Sequence, residues 1–352
     1  MSKYINARLG AIEAYTPGEQ PQDKAYVKLN TNESPFPPSK GVLKAINKKE
    51  IGDLRLYCDP ECKKLRKALA DLYEVNEENI FLSNGSDDIL NFAFMAYGEN
   101  GAAYADITYG FYSVFAELYN VESEIVPLKD DFTIDIEGFC NKKKLVVIAN
   151  PNAPTGIALS LSEIEKILES NKDNIVLVDE AYVDFGGESS AKLIDKYDNL
   201  LCVQTFSKSR SLAGARLGFA IANKEIIADL EKIKYSTNPY NINRLTQIAG
   251  LFAVKENKYY LENCKKIKDN REYTVNALKN MDFSVLDSKA NFIFAKSEKI
   301  SGEELYLSLK DKGVLVRHFS KERIKDYIRI TIGSKKEMDI FLNKVKEILG
   351  EK

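Results

Sequence analysis

The chain has 352 residues, of which 44% are apolar and 29% are charged, a composition that allows a globular fold with a sizeable core. Its formal net charge of -2, with acids and bases interleaved, gives no overall field that attracts nucleic acid or a membrane. Five cysteines are too few for a disulfide framework, and the single histidine, His318, leaves a zinc site or a Ser-His-Asp triad incomplete. Because no signal-peptide core or membrane-spanning apolar run is visible, we expect a cytoplasmic protein without a metal site.

The first part of the chain divides into an arm and a strand-rich segment. Residues 1–29 contain Pro17, Gly18 and Pro21 and little periodic pattern, so we expect an arm rather than a core element. Residues 30–250 alternate short apolar runs with helical stretches, which is typical of parallel strands covered on both faces. This pattern predicts a large domain with a mostly parallel sheet. The predicted strands are 80–82, 145–148, 175–178, 201–203 and 217–221.

Residues 251–352 have a different pattern. A long helical stretch from about 256 to 280 precedes several short strands, and Ser334 with Glu337 forms a capping box that opens a final helix. This pattern predicts a smaller α+β domain, against which the N-terminal segment folds back. The predicted strands are 283–285, 291–295, 314–317 and 327–331, with a helix at 302–310.

Polar residues follow the predicted strands of the large domain, where sites form at the carboxyl edge of a parallel sheet. Gly85, Ser86 and Asp87 form a turn into a helix N-terminus, which suits a phosphate group but also an ordinary helix cap. Asn152 lies in a loop that two prolines and a glycine make rigid. Asp179 ends an apolar run. A carboxylate at such a position either pairs with a positively charged group or caps the turn that follows.

Lys208 comes shortly after the strand at 201–203, among hydroxyl side chains. Burial and a cationic neighbour lower the pKa of a lysine, which favours the neutral, nucleophilic amine. Arg216, eight residues on, has the guanidinium geometry that binds phosphate oxygens. A Ser-Lys pair alone predicts nothing, but four strand ends in order offer a phosphate cradle, a rigid loop, an acid and an amine.

The order of these segments resembles a known family. The segments NPNAPTG (150–156), DEAY (179–182) and SKSRSLAGARLG (207–218) resemble the class I/II aminotransferases of PLP fold type I. The segments LNTNESP (29–35) and TYGFY (108–112) resemble the histidinol-phosphate aminotransferase family in particular. The resemblance covers nearly the whole chain. It implies an α/β fold with a large domain, whose mostly parallel central sheet is flanked by helices, and a smaller α+β domain.

The resemblance also implies the function. It implies transamination of histidinol phosphate with 2-oxoglutarate or glutamate in histidine biosynthesis, with pyridoxal 5'-phosphate as cofactor, by a homodimer that binds neither nucleic acid nor a membrane. Catalytic roles fall on Lys208, which holds the cofactor covalently and moves a proton, on Asp179 at the pyridine nitrogen and on Tyr182 at the phenolic oxygen. Further cofactor contacts are implied for Gly85, Ser86, Asp87, Tyr109, Asn152, Thr205, Ser207, Arg216 and, from the other subunit, Tyr57.

Substrate contacts are implied for four more residues. Arg329 would bind the carboxylate of glutamate and Arg317 the phosphate of histidinol phosphate, while Tyr15 and Asn32 line the substrate pocket. One position departs from the family pattern, because Ala153 stands where an asparagine usually bonds the phenolic oxygen. The loss of one neutral hydrogen bond, about 1 kcal/mol, would tune the site rather than abolish it.

Three other functions share these motifs. A threonine-phosphate decarboxylase has the same lysine, acid and phosphate grip, and an aromatic amino-acid aminotransferase differs only in its substrate. A PLP-binding protein without turnover is the alternative outside enzymes. The sequence does not show which bond of the substrate Cα is broken, so it leaves the two enzymatic alternatives open.

Overall fold

The computed structural model describes residues 2–350. Within them the backbone forms thirteen strands and thirteen α-helices. The strands are β1 Val27–Lys28, β2 Ile80–Ser83, β3 Ala102–Ala105, β4 Ser123–Val126, β5 Leu145–Ala149, β6 Val176–Asp179, β7 Leu200–Thr205, β8 Gly218–Ala222, β9 Phe283–Val285, β10 Phe292–Ser297, β11 Val314–Leu315, β12 Arg317–His318 and β13 Tyr327–Thr331. The helices are α1 Ala7–Ala11, α2 Lys40–Ala45, α3 Lys48–Gly52, α4 Lys63–Tyr73, α5 Ser86–Tyr97, α6 Phe111–Tyr119, α7 Ile136–Phe139, α8 Leu161–Ser170, α9 Lys224–Thr237, α10 Arg244–Lys255, α11 Asn257–Lys279, α12 Gly302–Asp311 and α13 Lys335–Leu349.

A seven-stranded sheet organises the larger part of the chain. Its strand order is β2-β8-β7-β6-β5-β3-β4, and only β8 runs antiparallel to its neighbours β2 and β7. The remaining pairs are parallel, so their carboxyl ends lie at one edge. This confirms the predicted mostly parallel sheet flanked by helices.

Both faces of this sheet are buried, because successive side chains of a strand point to opposite sides. Leu177 and Val203 pack on one face in the same core as α5, α6 and α9. Val178 and Cys202 pack on the other face with α4, α8 and α10. Each fully buried aliphatic side chain contributes roughly 1.5–3 kcal/mol, so these two cores hold the sheet rigid.

A four-stranded antiparallel sheet, in the order β12-β13-β10-β9, forms from the last third of the chain. It shares one core with α11, α12 and α13. The strand predicted at 314–317 is divided: β11 pairs in parallel with β1, whereas β12 pairs with β13. Since the two halves join different sheets, Arg317 lies beside Arg329 as its cross-strand neighbour.

The local signals at helix starts are confirmed, while three strands escaped prediction: β3, β4 and the two-residue β1 in the segment predicted to be an arm. Ser160 and Ser334 each form the expected capping box and open α8 and α13. β3 was missed because it is three-quarters alanine, which has low strand propensity, and β4 because it is short and lies at the sheet edge. No helix within residues 2–350 has the length and apolar character needed to cross a membrane.

Gly218, the first residue of β8, lies where the sheet meets the start of α5. A Cβ atom on Gly218 would lie 2.3 Å from the backbone nitrogen of Ser86 and 2.4 Å from the backbone carbon of Gly85. We expect Gly218→Ala to lower the free energy of unfolding by about 1–3 kcal/mol through overpacking. Urea unfolding of the variant and parent proteins measures this change.

Gly214→Ala is the matched control, since a Cβ atom at Gly214 would meet nothing within 4 Å. We expect its free energy of unfolding to stay within about 0.5 kcal/mol of the parent value. Equal stability of the two variants would contradict the close approach of β8 and α5.

Candidate active site

A cavity of about 230 Å³ opens at the carboxyl ends of β5, β6 and β7. Its walls combine one amine, one guanidinium and three carboxylate side chains with several hydroxyls. A larger cavity of about 480 Å³ lies near α2, α3 and α10, but none of the predicted site residues lines it. The smaller cavity is therefore the candidate active site. It is lined by Thr31, Glu33, Ser86, Asp87, Tyr109, Ala149, Pro151, Ala153, Asp179, Ala181, Tyr182, Thr205, Ser207, Lys208, Ala213 and Arg216.

The amine of Lys208 is held inside this cavity. Its Nζ donates a hydrogen bond to the backbone oxygen of Thr31 at 3.1 Å and lies 5.9 Å from the ring centre of Tyr182. Burial lowers the pKa of Lys208 to about 8, and the positive charge of Arg329 acts in the same direction. A large fraction of the amine is therefore neutral near pH 8, the form that attacks a carbonyl carbon.

Asp179 ends β6 and is buried at the same edge. The hydroxyl of Tyr112 donates to its Oδ2 at 2.8 Å, and the backbone nitrogen of Ala181 donates to its Oδ1 at 3.2 Å. Burial raises the pKa of the Asp179 carboxyl to about 6, although both hydrogen bonds act in the opposite direction. The ionised carboxylate is thus poorly solvated, and a cationic N–H group in the cavity would stabilise it.

An anion-binding corner forms where α5 begins. Gly85 has a left-handed φ of +83°, and Ser86 opens the twelve-residue helix, whose N-terminal N–H groups and dipole favour an anion. Arg216 reaches this corner: its Nη2 lies 3.0 Å from Asp87 Oδ2 and its Nη1 lies 3.4 Å from Ser207 Oγ. Three separate segments therefore bring donors to one point.

Thr205 supports the same corner from the end of β7. Its hydroxyl donates to Ser207 Oγ at 3.0 Å and accepts a hydrogen bond from the Ser207 backbone nitrogen at 3.1 Å. These bonds fix the turn between β7 and Lys208.

Aromatic side chains wall one side of the cavity. Tyr109 donates its hydroxyl hydrogen to Asp87 Oδ1 at 2.9 Å and meets Tyr112 edge-on, with ring centres 5.7 Å apart. Tyr15 stacks on Phe111 at 4.2 Å and lies 6.3 Å from Tyr109. Burial raises the pKa of Tyr15, while the positive charges of Arg317 and Arg329 act to lower it, so Tyr15 is near both arginines as well as Tyr109.

Tyr182 faces the cavity and is oriented by Asn32. The amide of Asn32 donates to the Tyr182 hydroxyl oxygen at 3.0 Å, which leaves the hydroxyl hydrogen free to be donated elsewhere. Asn32 has a left-handed φ of +57°, and it is held there by Thr331, whose hydroxyl donates to Asn32 Oδ1, and by Asn291, whose amide donates to its backbone oxygen.

Asn152 is not among the residues that line the cavity. Its amide donates to the Ile107 backbone oxygen at 3.0 Å and to Thr155 Oγ1 at 3.1 Å, and its oxygen accepts from Thr108 at 2.9 Å. One of these bonds lies within the loop and the other two tie the loop to the segment at 107–108, so the Asn152 side chain is turned away from the cavity. Ala153, at the position that departs from the family pattern, lines the cavity instead.

Arg317 and Arg329 lie beyond the cavity lining, side by side on β12 and β13. Arg329 donates to the backbone oxygen of Asn30 at 2.9 Å, and its Nε is buried without a hydrogen-bond partner in the described structure. Burial lowers the pKa of Arg329. Arg317 donates at 3.3 Å to the backbone oxygens of Thr16 and Pro17. Within residues 2–350 neither guanidinium forms an ion pair with a carboxylate.

Tyr57 is not brought to this cavity. Its side chain is 82% exposed and stacks on Tyr240 with ring centres 4.5 Å apart. Within one subunit it is therefore a surface residue.

The profile of the class I and II aminotransferases matches residues 24–345. A histidinol-phosphate aminotransferase of Brachyspira hyodysenteriae is 54% identical to this chain over 99% of both sequences. This chain belongs to the class I and II aminotransferases, among the histidinol-phosphate aminotransferases. The enzyme of that name from Clostridium botulinum is 48% identical over the full length of both sequences.

The fold of this histidinol-phosphate aminotransferase family member matches solved structures as well. The histidinol-phosphate aminotransferase of Sinorhizobium meliloti, solved in complex with pyridoxal-5'-phosphate, superposes with a TM-score of 0.89. It is 23% identical, over 99% of this chain and 98% of that chain. The predicted fold type I architecture is therefore confirmed.

Several residues of this aminotransferase site were not singled out from the sequence, among them Glu33, Tyr112 and Thr31. Tyr112 bonds Asp179, and Thr31 accepts a hydrogen bond from Lys208 through its backbone oxygen. Both stand in quoted segments, TYGFY and LNTNESP, but neither has a local signal that distinguishes it from its neighbours. Their roles depend on contacts between segments 67 and 177 residues apart.

The raised pKa of Asp179 has a consequence for stability. Its folded-state value of about 6 exceeds the ordinary value of 3.8, so the cofactor-free protein loses stability as pH rises through this interval. We expect Asp179→Asn to increase the free energy of unfolding of the cofactor-free protein at pH 8 by about 1–3 kcal/mol, and by about half as much at pH 5, because the cost of ionisation already grows from pH 3.8 upward. Urea unfolding at both pH values measures the difference.

Asp195→Asn is the control for that experiment, because Asp195 is an exposed aspartate at the surface. It should change stability by less than about 0.5 kcal/mol at either pH. A gain for Asp179→Asn that is the same at pH 5 and pH 8 would show that ionisation of this carboxyl is not the cause.

Proposed function

We propose that this chain transfers the amino group between histidinol phosphate and 2-oxoglutarate, with pyridoxal 5'-phosphate as cofactor, in histidine biosynthesis. The observation that carries the proposal is the placement of the Lys208 amine and the Asp179 carboxylate in one cavity, at neighbouring strand ends. Full-length relatives at 48–54% identity bear the name of this reaction.

The residues present fit the cofactor. Its phosphate suits the corner between Ser86 and Arg216, and a side chain at Gly85 would lie 2.7 Å from Arg216 Nη2, so glycine keeps this corner open. Asp179 is the buried acid for the ring nitrogen and Lys208 the amine for the aldehyde. When bound, pyridoxal phosphate supplies an aldehyde that accepts amino groups and a ring that withdraws electrons from the substrate Cα.

The side chains of the chain then have distinct tasks. Lys208 would hold the cofactor covalently through its Nζ and, when released by a substrate amine, its neutral Nζ would be the base that accepts the proton from the substrate Cα and the acid that returns it. Asp179 would keep the ring nitrogen protonated, because the buried carboxylate is stabilised by a positively charged N–H group beside it. Tyr182 donates to the phenolic oxygen, and Asn32 orients Tyr182 for this task.

The cofactor phosphate is assigned to the α5 corner. The donors are backbone N–H groups, hydroxyls and one guanidinium, from Ser86, Asp87, Thr205, Ser207 and Arg216. Tyr109 would pack against the cofactor ring. Asp87 already occupies part of the hydrogen-bonding capacity of Arg216. This pairing keeps the guanidinium in place for the phosphate.

The two arginines are assigned to the substrates. Arg329 is buried with an unpartnered Nε, and a buried cation is costly unless an anion pairs with it, so a substrate carboxylate is the expected partner. Arg317 donates only to backbone oxygens at 3.3 Å and lies over the Phe319 ring, so its charge remains available for a phosphate dianion. Tyr15, which both arginines influence, and Asn32, which bonds Tyr182, are proposed to line the substrate side of the cavity.

The active enzyme is proposed to be a homodimer. In that homodimer Tyr57, which is 82% exposed in one subunit, would reach the partner's cofactor phosphate. Support comes from the exposed apolar side chains close to Tyr57 in the sequence or stacked on it, which a second copy would cover: Leu43, Ile46, Ile51, Leu54, Leu56 and Tyr240.

The division of the chain into an arm (1–29), a large domain (30–250) and a small domain (251–352) remains a proposal. It is supported by sheets that stay within 80–222 and 283–331. A cytoplasmic location is also proposed, and five unpaired cysteines agree with it.

The function is tested by half-reactions on the purified, cofactor-loaded protein. Glutamate should convert the bound cofactor to its amino form, and imidazole-acetol phosphate should convert it back, with the visible absorption following both steps. We expect Lys208→Ala to reduce the turnover number by at least about 10³-fold. Loss of carbon dioxide from threonine phosphate, or a preference for phenylalanine over histidinol phosphate, would overturn the assignment.

The arginine pair allows a sharper prediction. We expect Arg329→Ala to raise KM about 10- to 100-fold for glutamate, because it removes a charge-assisted bond worth about 1.5–3 kcal/mol. Arg317→Ala should raise KM by a similar factor for histidinol phosphate and by less than about threefold for glutamate. Steady-state kinetics with each substrate measure both effects, and equal losses in the two variants would contradict the division of roles.

A further inference from the structure

Glu180 is a buried carboxylate that the proposed mechanism does not use. It follows Asp179 directly and is 1% exposed, yet it does not line the active-site cavity. Because side chains alternate along the strand, Glu180 continues the face of Val178, opposite to Asp179. A buried carboxylate is costly unless its oxygens are fully hydrogen-bonded, so its partners indicate its task.

Four donors converge on this carboxylate. Oε1 accepts from the backbone nitrogen and the hydroxyl of Ser190, at 2.5 and 2.7 Å. Oε2 accepts from the hydroxyl of Ser189 at 2.6 Å and from the amide of Gln204 at 2.9 Å. Burial raises the pKa of Glu180, and the bonds from the two serines act in the opposite direction. Because every neighbour donates, only an acceptor with two oxygens satisfies the set.

The bond from Gln204 joins the two strands that carry the chemistry. Gln204 lies on β7, immediately before Thr205 and four residues before Lys208. Its amide bonds Glu180, and its own oxygen accepts from the hydroxyl of Tyr73 on α4 at 2.6 Å. The backbone nitrogen of Glu180 also donates to the Val203 oxygen on β7 at 2.7 Å. The end of β6 is thus tied to β7 by both backbone and side chain.

We propose that Glu180 is a positioning residue, which locks the ends of β6 and β7 together and so fixes the separation of the Asp179 carboxylate from the Lys208 amine. The cofactor must reach both groups at once, and a displacement of about 1 Å at one end is costly to a site of this kind. On the cavity face Tyr112 holds Asp179; on the opposite face Glu180 holds the same strand end. This inference rests on the proposed cofactor, but not on the identity of the substrate.

Two substitutions, called the lock variants, disrupt the hydrogen bond between Glu180 and Gln204, and one matched control leaves this bond in place. Glu180→Gln replaces an acceptor oxygen by an amide that faces donors. Gln204→Leu removes the side-chain bond between the strands, together with the bonds of Gln204 to Ser189 and Tyr73, and provides a second test if Glu180→Gln does not fold. Tyr73→Phe removes the other hydrogen bond of the same Gln204 side chain, on the side away from Glu180.

Three quantities are measured on each protein: the dissociation constant for pyridoxal phosphate by equilibrium dialysis, the pH midpoint of the visible absorption of the holoenzyme, and the thermal unfolding midpoint. We expect both lock variants to weaken cofactor binding about tenfold and to move the pH midpoint by about half a unit or more. Tyr73→Phe should lower the unfolding midpoint while leaving cofactor affinity and the pH midpoint at the parent values.

The outcomes separate the inference from the function it rests on. If the parent protein shows no visible cofactor absorption, the proposed function itself fails. If the parent shows it and both lock variants keep the parent affinity and pH midpoint, Glu180 has only a structural role and the inference is wrong. The same conclusion follows if Tyr73→Phe changes these two quantities as much as the lock variants do.

Discussion

The site depends on keeping two ionisable side chains away from water at the ends of adjacent strands. Burial disfavours the charged form of each, and so the pKa of the Lys208 amine falls to about 8 while that of the Asp179 carboxyl rises to about 6. The ionised forms of both side chains therefore destabilise the folded, cofactor-free protein. A ligand that offers Asp179 a positive N–H and gives Lys208 a covalent partner relieves both costs at once, which couples cofactor binding to stability.

The parallel sheet explains why these groups meet. Successive parallel strands place their carboxyl ends at one edge, and the turns after β6 and β7 carry the acid and the amine to neighbouring positions. The anion corner at Ser86 and Arg216 lies further along the same edge, since β8 returns antiparallel between β2 and β7. The apolar cores on both faces keep this edge rigid, and rigidity is what a site that must contact three parts of one small molecule needs.

The substrate side of the cavity has a different origin. Asn32 donates a hydrogen bond to Tyr182 and accepts hydrogen bonds from Asn291 and Thr331. Four parts of the chain that are distant in sequence therefore meet at this asparagine. The N-terminal segment, the large sheet and the four-stranded sheet are joined there. Arg329 lies on the same strand as Thr331, which explains how the charge of a residue in the four-stranded sheet acts on Lys208 at the edge of the seven-stranded sheet.

The sequence by itself determined the alternation of strands and helices apart from β1, β3 and β4, the capping boxes at Ser160 and Ser334, and the acid and amine at strand ends, because these follow from local periodicity and from motifs contiguous in the chain. The tertiary structure decided the rest. The Asn152 side chain bonds the segment at 107–108 instead of lining the cavity, and the bond from Tyr112 to Asp179 joins residues 67 positions apart. Such outcomes depend on which distant side chain arrives within hydrogen-bonding distance, and that is set by the packing of whole elements rather than by the residues near each position.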